Sequence, residues 1–200
     1  MMTPKELKRL SDLMLVGYFL SMLFYSCSYV FIYQVIVQAV PRSFLGIEQI
    51  VGCVSTIIFC KVWNKYSDRL FLYYRLILWL EIIFDLILFV DVIIRGDLKF
   101  YFMFNIMIMA IITRNLICGR TKMKAKVNPT EQLREKFDNN SQIADSAATI
   151  IGAGTAIIIP FSLNTLFVLA LIGNCIDNVF FLYIYHKLKR SDSIGSNQDN

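Results

Sequence analysis

The sequence predicts an all-α integral membrane protein with six transmembrane helices and both termini in the cytoplasm. Three observations lead to this fold class: the overall hydrophobicity, the number and length of the apolar stretches, and the distribution of cationic residues between them. Of the 200 residues, 56% are hydrophobic, and the mean hydropathy of +0.56 is outside the usual range of soluble domains. We therefore expect the lipid bilayer to be the main partner of this chain.

Six apolar stretches set the number of spans. A bilayer core of about 30 Å requires roughly 20 apolar helical residues. The stretches that meet this requirement are residues 13–40, 43–62, 70–94, 98–118, 143–160 and 163–185. They form one transmembrane domain of residues 1–190, and the polar residues 191–200 are predicted to be a disordered cytoplasmic tail.

The cations determine the orientation, because Lys and Arg in short loops are retained in the cytoplasm. With the N-terminus inside, 16 cations are cytoplasmic and three, Arg42, Arg95 and Lys99, are outside. The net charge of +5 is thus a consequence of topology, and no nucleic-acid partner is expected. The protein is predicted to be a multi-pass protein of the plasma membrane, in a bacterium the inner membrane.

Two cytoplasmic connections carry most of this charge. Residues 119–142 are expected to form a long loop that contains one short surface helix, Thr130 to Phe137. Around the connection between the second and third spans, an interfacial belt of rings and cations is expected from Lys61, Trp63, Lys65, Tyr66, Tyr73 and Tyr74.

Charged residues inside the spans are costly in lipid, so they mark a pathway, a partner or a helix contact. They are Glu48, Glu81, Asp85, Asp91, Arg114, Asp145 and Asp177. Glu81 and Asp85 are four residues apart and share one helix face. In a low dielectric they would repel each other, which favours reversible protonation; alternatively, they pair with polar groups of neighbouring helices. Arg114 and Asp145 are predicted to form a structural ion pair near the inner surface.

A polar stripe along the first span suggests a cavity. Its hydroxyl and ring residues recur at intervals of three to four, and the sixth span adds Asn174, Asp177 and Asn178. These groups either line a cavity between the first and sixth spans or form hydrogen bonds between helices. The candidate proton-binding or substrate-binding residues are Tyr25, Tyr29, Glu48, Glu81, Asp85, Asn174 and Asp177.

The fifth span carries a ridge of small residues. Ala144, Ala148, Gly152 and Ala156 are spaced four apart. Such a ridge allows the backbone of another helix to approach closely, so we expect close packing of this helix against a neighbour.

Enzymatic, metal and cofactor functions are not expected. The five cysteines lie in or beside apolar runs without a C-x-x-C pair, and His186 is the single histidine. Neither a nucleophilic motif nor a set of metal ligands is found, so we predict no enzyme, no metal and no cofactor.

Six helices, the run Ser67-Asp68-Arg69 between the second and third of them, and the stretch from Pro129 to Gly152 together resemble one half, the N-terminal half, of a major facilitator superfamily transporter. Ser67, Asp68 and Arg69 match the Asp-Arg core of the family's Gly-x-x-x-Asp-Arg-x-Gly-Arg-Arg signature between the second and third helices. A second match is the family's run into and along its fifth helix, here at Pro129, Glu131, Arg134, Asn139, Asn140, Ile151 and Gly152. The sequence departs from the signature at Asn64, Phe71, Leu72 and Tyr73, and from a family proline at Ala153.

The resemblance implies a six-helix bundle of two three-helix repeats, with Asp68 and Arg69 in a gating loop. It also implies a half-size, proton-coupled transporter or exporter of a small molecule, working as a homodimer or with a second six-helix membrane protein. A non-transporting accessory or immunity-type protein, or a truncated remnant of a transporter, remains the alternative. Neither the substrate nor the direction of transport follows from the sequence.

Overall fold

The structure is a computed structural model that describes residues 2–39, 41–95 and 98–196. Within these residues, side chains are described except at 29–30, 33–37, 39, 42, 44–45, 48, 67–68, 88–89, 91–93, 95, 98–110 and 192–196. The elements are α1 (Pro4–Ala39), α2 (Arg42–Arg95), α3 (Leu98–Val127), α4 (Glu131–Ile158) and α5 (Leu163–Ser196). The prediction of an all-α fold is confirmed for this part of the chain.

The long element α2 consists of two helices. Tyr66 has φ −123° and ψ 24°, which is not helical, and the axis bends there into a first arm (42–65) and a second arm (67–95). With α2 counted as two, the described residues contain six helices. The separate loop expected between the second and third spans is thus reduced to a bend, because residues 61–75 contain neither Gly nor Pro.

Three helices begin at side-chain caps. Before α1, Thr3 and Glu6 form a reciprocal capping box, in which the Thr3 amide donates to the Glu6 carboxylate at 2.8 Å and the Glu6 amide donates to the Thr3 hydroxyl at 3.3 Å. Thr130 caps α4 and Ser162 caps α5 through the hydroxyl, which in each case accepts the backbone N–H of the residue three positions ahead.

The long loop predicted at residues 119–142 is wrong. The helix α3 continues to Val127, and α4 already begins at Glu131, so that only residues 128–130 connect them. The reason is local: residues 120–127 are mostly good helix formers, and the first proline after α3 begins is Pro129. The short surface helix expected after Pro129 is the start of α4.

The largest helix contacts fall into two groups, one around α1 and one around α3. α1 packs against α4 and α5, α3 packs against both arms of α2, and α2 also contacts α5. The arms of α2 are joined to α3 by hydrogen bonds from Trp63 Nε1 to Asn115 Oδ1 (2.8 Å) and from Tyr74 OH to the Leu116 carbonyl (2.9 Å). Tyr185 OH of α5 donates to the Leu72 carbonyl of α2 (2.8 Å).

The predicted interfacial belt is only half correct. Tyr66 and Tyr73 are exposed, but Trp63 and Tyr74 are buried in the core, where Tyr74 contacts Phe71 and Tyr185. Both buried rings have polar atoms with acceptors on α3, so they are satisfied without water. Packing against α3 therefore decides which of these rings face outward.

The close packing expected of the small-residue ridge is confirmed. Ala148, Gly152 and Ala156 are buried in the interface between α4 and α1. A Cβ atom at Gly152 would lie 2.6 Å from the carbonyl oxygen of Leu23 in α1. A similar approach joins α1 to α5, where a Cβ at Gly173 would lie 3.0 Å from the Ser21 carbonyl oxygen. Small residues thus hold α1 between two neighbours.

The outer surface is strongly apolar. Large side chains are exposed along both arms of α2 and along α4, where Ile157 and Ile158 are 79% and 80% exposed. Among the described residues, two segments are long and apolar enough to cross a bilayer, Pro4–Ser28 and Leu163–Ser191. These two helices favour a membrane protein.

Candidate functional site

A cavity of about 750 Å³, with polar and charged groups among a largely apolar lining, lies between the helices. All five elements contribute to it, and α1 and α5 supply the most residues. The lining residues of α1 extend from Met14 to Ile32, which corresponds to about 27 Å along the helix axis. The polar and charged lining residues are Tyr18, Ser21, Tyr25, Ser28, Glu81, Asp85, Thr113, Arg120, Thr121, Lys124, Asp138, Ser141, Asn174 and Asp177.

An ion pair between α3 and α5 lies in this cavity. Nη2 of Arg120 contacts Oδ2 of Asp177, and the same nitrogen is 3.4 Å from Oδ1 of Asn178. The guanidinium also lies over the ring of Phe181, 4.7 Å from its centroid. The side chain of Asp177 is 8% exposed and that of Arg120 is 25% exposed, so the pair is largely removed from water.

Two further carboxylates from the second arm of α2 face the same space. Oε2 of Glu81 is 4.0 Å from Nη2 of Arg120, at the limit of an ion pair. One turn further, Oδ2 of Asp85 accepts a hydrogen bond of 3.1 Å from Nδ2 of Asn174. The site therefore brings together three acids and one arginine.

Several polar atoms in this group lack a partner. Among the described residues, Oε2 of Glu81, Oδ1 of Asp177 and Nε of Arg120 are buried without a hydrogen-bond partner. Such atoms are costly in a protein interior and are uncommon in folded proteins. All three side chains line the cavity, so two acceptors and one donor on its wall have unused hydrogen-bonding capacity.

A second ion pair lies at one end of the cavity. Nζ of Lys124, near the end of α3, contacts Oδ1 of Asp138 in the second turn of α4. Nearby, Oγ of Ser11 donates to Oδ1 of Asn128 at 3.1 Å, which attaches α1 to the connection between α3 and α4. Both contacts are at the end of the bundle for which the charge distribution predicts a cytoplasmic location.

Most of the predicted site residues that the structure describes meet in the cavity. Glu81, Asp85, Asn174 and Asp177 form its acidic wall, and Tyr25 lies at its edge. The side chains of Tyr29, Glu48 and Asp68, three further predicted residues, lie outside the described residues. Arg69 is exposed at the start of the second arm of α2 and does not line the cavity.

The ion pair predicted between Arg114 and Asp145 is not found among the described residues. α3 packs mainly on α2 and α4 mainly on α1, so the two side chains belong to different interfaces. Nη2 of Arg114 would be 3.6 Å from a Cβ at Gly52 in α2, whereas Oδ1 of Asp145 is buried without a hydrogen-bond partner.

Asn174 and Asp177 do not lie on an open outer face. Asp177 is buried against Arg120, and Asn174 is bonded to Asp85 within the same chain. Both residues are therefore available to a ligand in the cavity rather than to lipid.

The sequence reasoning missed Arg120, which it assigned to a cytoplasmic loop. The available signal was the absence of proline between Leu98 and Val127, which permits the helix to extend beyond the apolar stretch. Its acidic partners on α2 and α5 are far apart in sequence, so only the packing of the helices reveals the pairing.

The described residues contain no group of three or more His, Cys, Asp or Glu side chains arranged to hold a metal ion. Comparison of the chain with protein families, with curated proteins and with solved structures finds no match to any of them.

Proposed function

We propose that this chain is a six-span protein of the plasma membrane that carries a small molecule through the central cavity, coupled to protons on the cavity carboxylates. It would be a half-size transporter of the major facilitator type. The observation that carries this proposal is a group of three acids on the cavity wall, inside a bundle with an apolar exterior. Glu81 and Asp177 lie beside the guanidinium of Arg120, and Asp85 lies one turn from Glu81.

The exterior supports a bundle that lies in lipid. Exposed Ile, Leu and Val side chains follow one another along both arms of α2 and along α4, forming surfaces that soluble monomers rarely expose. The arms of α2 would be about 36 Å and 43 Å long at 1.5 Å per residue, enough to cross a hydrocarbon core of about 30 Å.

The contact pattern supports a repeat of three helices. We number the helices 1 to 6 along the chain, with the two arms of α2 as helices 2 and 3. A two-fold axis that exchanges helices 1–3 with helices 4–6 exchanges α1 with α3, the first arm of α2 with α4, and the second arm with α5. It would therefore convert the contacts of α1 with α4 and α5 into the contacts of α3 with the two arms. Both sets of contacts are present. With alternating directions along the chain, this is the relation expected of an inverted repeat, as in transporter halves.

Proton coupling follows from the charge balance of the cluster. One guanidinium cannot neutralise three carboxylates, and a buried unpaired carboxylate is expensive in a low dielectric. Taking up a proton on Glu81 or Asp85 would remove the cost of one buried carboxylate charge. Binding of a substrate beside these carboxylates would also change the cost of keeping them charged. Proton uptake and substrate binding at this cluster are therefore coupled.

A partner would close the cavity at its exposed edge. Tyr25 and Thr121 line the cavity and are exposed, so that the cavity reaches the outer surface of the single chain. A second copy or another six-helix chain over this edge would separate the cavity from lipid. We also assign the gating role to Asp68 and Arg69, because they directly follow the bend at Tyr66, where the second arm could pivot.

The test uses purified protein in proteoliposomes with an imposed pH gradient and a pH-sensitive dye inside. A panel of organic cations, organic anions, sugars and short peptides is added in turn. At least one class should accelerate the collapse of the gradient, and the Glu81→Gln/Asp85→Asn double variant should lose this acceleration. A matched control is Glu131→Gln/Glu135→Gln, which removes two exposed carboxylates of α4.

If no compound moves protons although the protein is folded, transport is refuted. The protein would then be an accessory or immunity-type subunit or a remnant, and purification from native membranes would be expected to recover a bound partner in the first case only.

A further inference from the structure

We propose that the ligand of the cavity is an amphipathic organic cation: a protonated amine on an aromatic or aliphatic body, with its ammonium group between Glu81 and Asp177. This inference rests on the proposed function, because it names the substrate class of the same site. It is drawn from the charges, the unpartnered atoms and the lining of the cavity.

The charge balance of the lining favours a cation. The described lining residues include four carboxylates, Glu81, Asp85, Asp138 and Asp177, and two cations. Lys124 pairs with Asp138 at the end of the cavity, and Arg120 pairs with Asp177. Glu81 is only at the limit of an ion pair with Arg120, and Asp85 has an amide, not a cation, as its partner. The described lining thus carries two more carboxylates than cations, and one added positive charge would offset half of this excess.

The unpartnered atoms give the position of the ammonium group. Oε2 of Glu81 and Oδ1 of Asp177 are both acceptors, and both belong to side chains that are more than nine-tenths buried. The two side chains contact Arg120 from different helices, Glu81 through Oε2 at 4.0 Å and Asp177 through its other oxygen, Oδ2. An ammonium has three donors and no acceptor, so it can bond to both oxygens at once. An anion would meet two carboxylates there and would be repelled.

Arg120 adds a second feature to the ligand. Its Nε–H is also buried without an acceptor. An oxygen atom close to the amine, as in an amino alcohol or an amino ether, would accept this hydrogen bond. The guanidinium of Arg120 already contacts Oδ2 of Asp177, so a large cation cannot approach that oxygen.

The remainder of the lining suits an apolar body. Aromatic rings from Tyr18, Phe167 and Phe181 and aliphatic side chains including Met22 and Leu171 surround the acidic wall. A volume of about 750 Å³ is within the range of about 300–1,000 Å³ that is typical of pockets for drug-sized ligands. A body of one ring and a short chain would fill part of it and displace water from apolar surface.

Three probes of the same shape separate charge from hydrophobicity. They are 4-phenylbutylammonium, neutral 4-phenylbutanol and anionic 4-phenylbutanoate, titrated by calorimetry into the purified full chain in mild detergent near neutral pH. We expect the ammonium to bind at least about tenfold more tightly than the alcohol, a difference of about 1.4 kcal/mol. The carboxylate should bind more weakly than the alcohol. Equal affinity of the ammonium and the alcohol would overturn the proposal.

Variants locate the binding site. Glu81→Gln and, separately, Asp85→Asn should remove most of the preference for the ammonium while leaving the affinity for the alcohol within about twofold, since burial of the phenylbutyl body is unchanged. Glu135→Gln, which removes an exposed carboxylate of α4, should change neither affinity. A preference that survives in both cavity variants would refute the site, and the unchanged affinity for the alcohol shows that each variant is folded.

This experiment is independent of the transport assay, because it needs neither a gradient nor a second compartment. Selective binding of the ammonium without any proton movement would support the ligand class and refute transport. Proton-coupled movement of a sugar or an anion, without selective binding of the ammonium, would support transport and refute the ligand class.

Discussion

Arg120 on α3 and Asp177 on α5 form an ion pair that joins the two sides of the helix bundle across the cavity. On one side α3 packs with the arms of α2, and on the other α5 packs with α1. Because Asp177 is buried and Glu81 is also close to the guanidinium, Arg120 is the positive centre of the acidic wall.

Loss of Arg120 should destabilise the protein more than loss of its partner. Arg120→Gln leaves Asp177 buried without a counterion, and breaking a buried pair in this way costs about 3–5 kcal/mol. Asp177→Asn should cost less, because Arg120 still has Glu81 nearby. The measurement is the free energy of unfolding in mixed micelles, with the exposed Lys136→Gln as the control of equal charge change.

The double variant Arg120→Gln/Asp177→Asn should regain part of the stability that Arg120→Gln loses, since no charge is left unpaired between these two positions. If the double variant lost as much stability as the two single variants added together, Arg120 and Asp177 would not be energetically coupled.

Two glycines on α4 provide a test of the contact between α1 and α4. A Cβ at Gly152 would lie 2.6 Å from a backbone oxygen of α1, whereas at Gly154 nothing lies within 4 Å. Gly152→Ala should therefore lower the stability by about 1–3 kcal/mol through overpacking. Gly154→Ala should be neutral or stabilising by up to about 1 kcal/mol, because Ala favours the helix. Thermal unfolding of both variants decides this, and equal melting temperatures would argue against the contact.

Two adjacent tyrosines test the core between α2 and α3. Tyr74 is fully buried and donates its hydroxyl to the Leu116 carbonyl, while Tyr73 is 66% exposed. Tyr74→Phe removes the donor and should cost about 1 kcal/mol or more. Tyr73→Phe is the matched control, with an expected change below about 0.5 kcal/mol. A larger loss for Tyr73→Phe would mean that the bend at Tyr66 turns the other ring inward.

The proposed topology can be tested with reporters. A periplasmic reporter, active only outside the cytoplasmic membrane, should give no signal when fused after residue 200 in bacterial cells. The same reporter inserted after Ser162, in the short connection before α5, should be active. An active reporter at residue 200 would contradict both the cytoplasmic C-terminus and the six-span arrangement.

Self-pairing can be tested on the exposed face of α5. Cys175 is half-buried and lies three residues after Ile172 and four before Val179, both of which are exposed. In a variant that keeps only this cysteine, a parallel dimer with its axis along the membrane normal should crosslink across the axis, because closed two-fold pairing brings a residue near its copy. Ile150→Cys on α4, in a background without other cysteines, is the control for random collision in the membrane. Equal crosslinking at both positions would refute a dimer through α5.

The amino-acid sequence by itself determined the helical fold class and the residues of the small ridge on α4, because hydrophobicity and spacing along one helix are local properties. It also indicated the same-face placement of Glu81 and Asp85, which the cavity confirms, since a separation of four residues defines a helix face.

The helix ends were predicted less well, because a helix continues beyond its apolar stretch until a breaker such as Pro129 or a bend such as Tyr66. Only the tertiary structure decided which charges meet. Arg120 faces the acids and Arg114 does not meet Asp145, because the pairing of side chains depends on which helices share an interface. The sequence of one chain shows which residues share a face of each helix. It does not show how the helix is rotated about its axis, because that rotation depends on the helices packed against it.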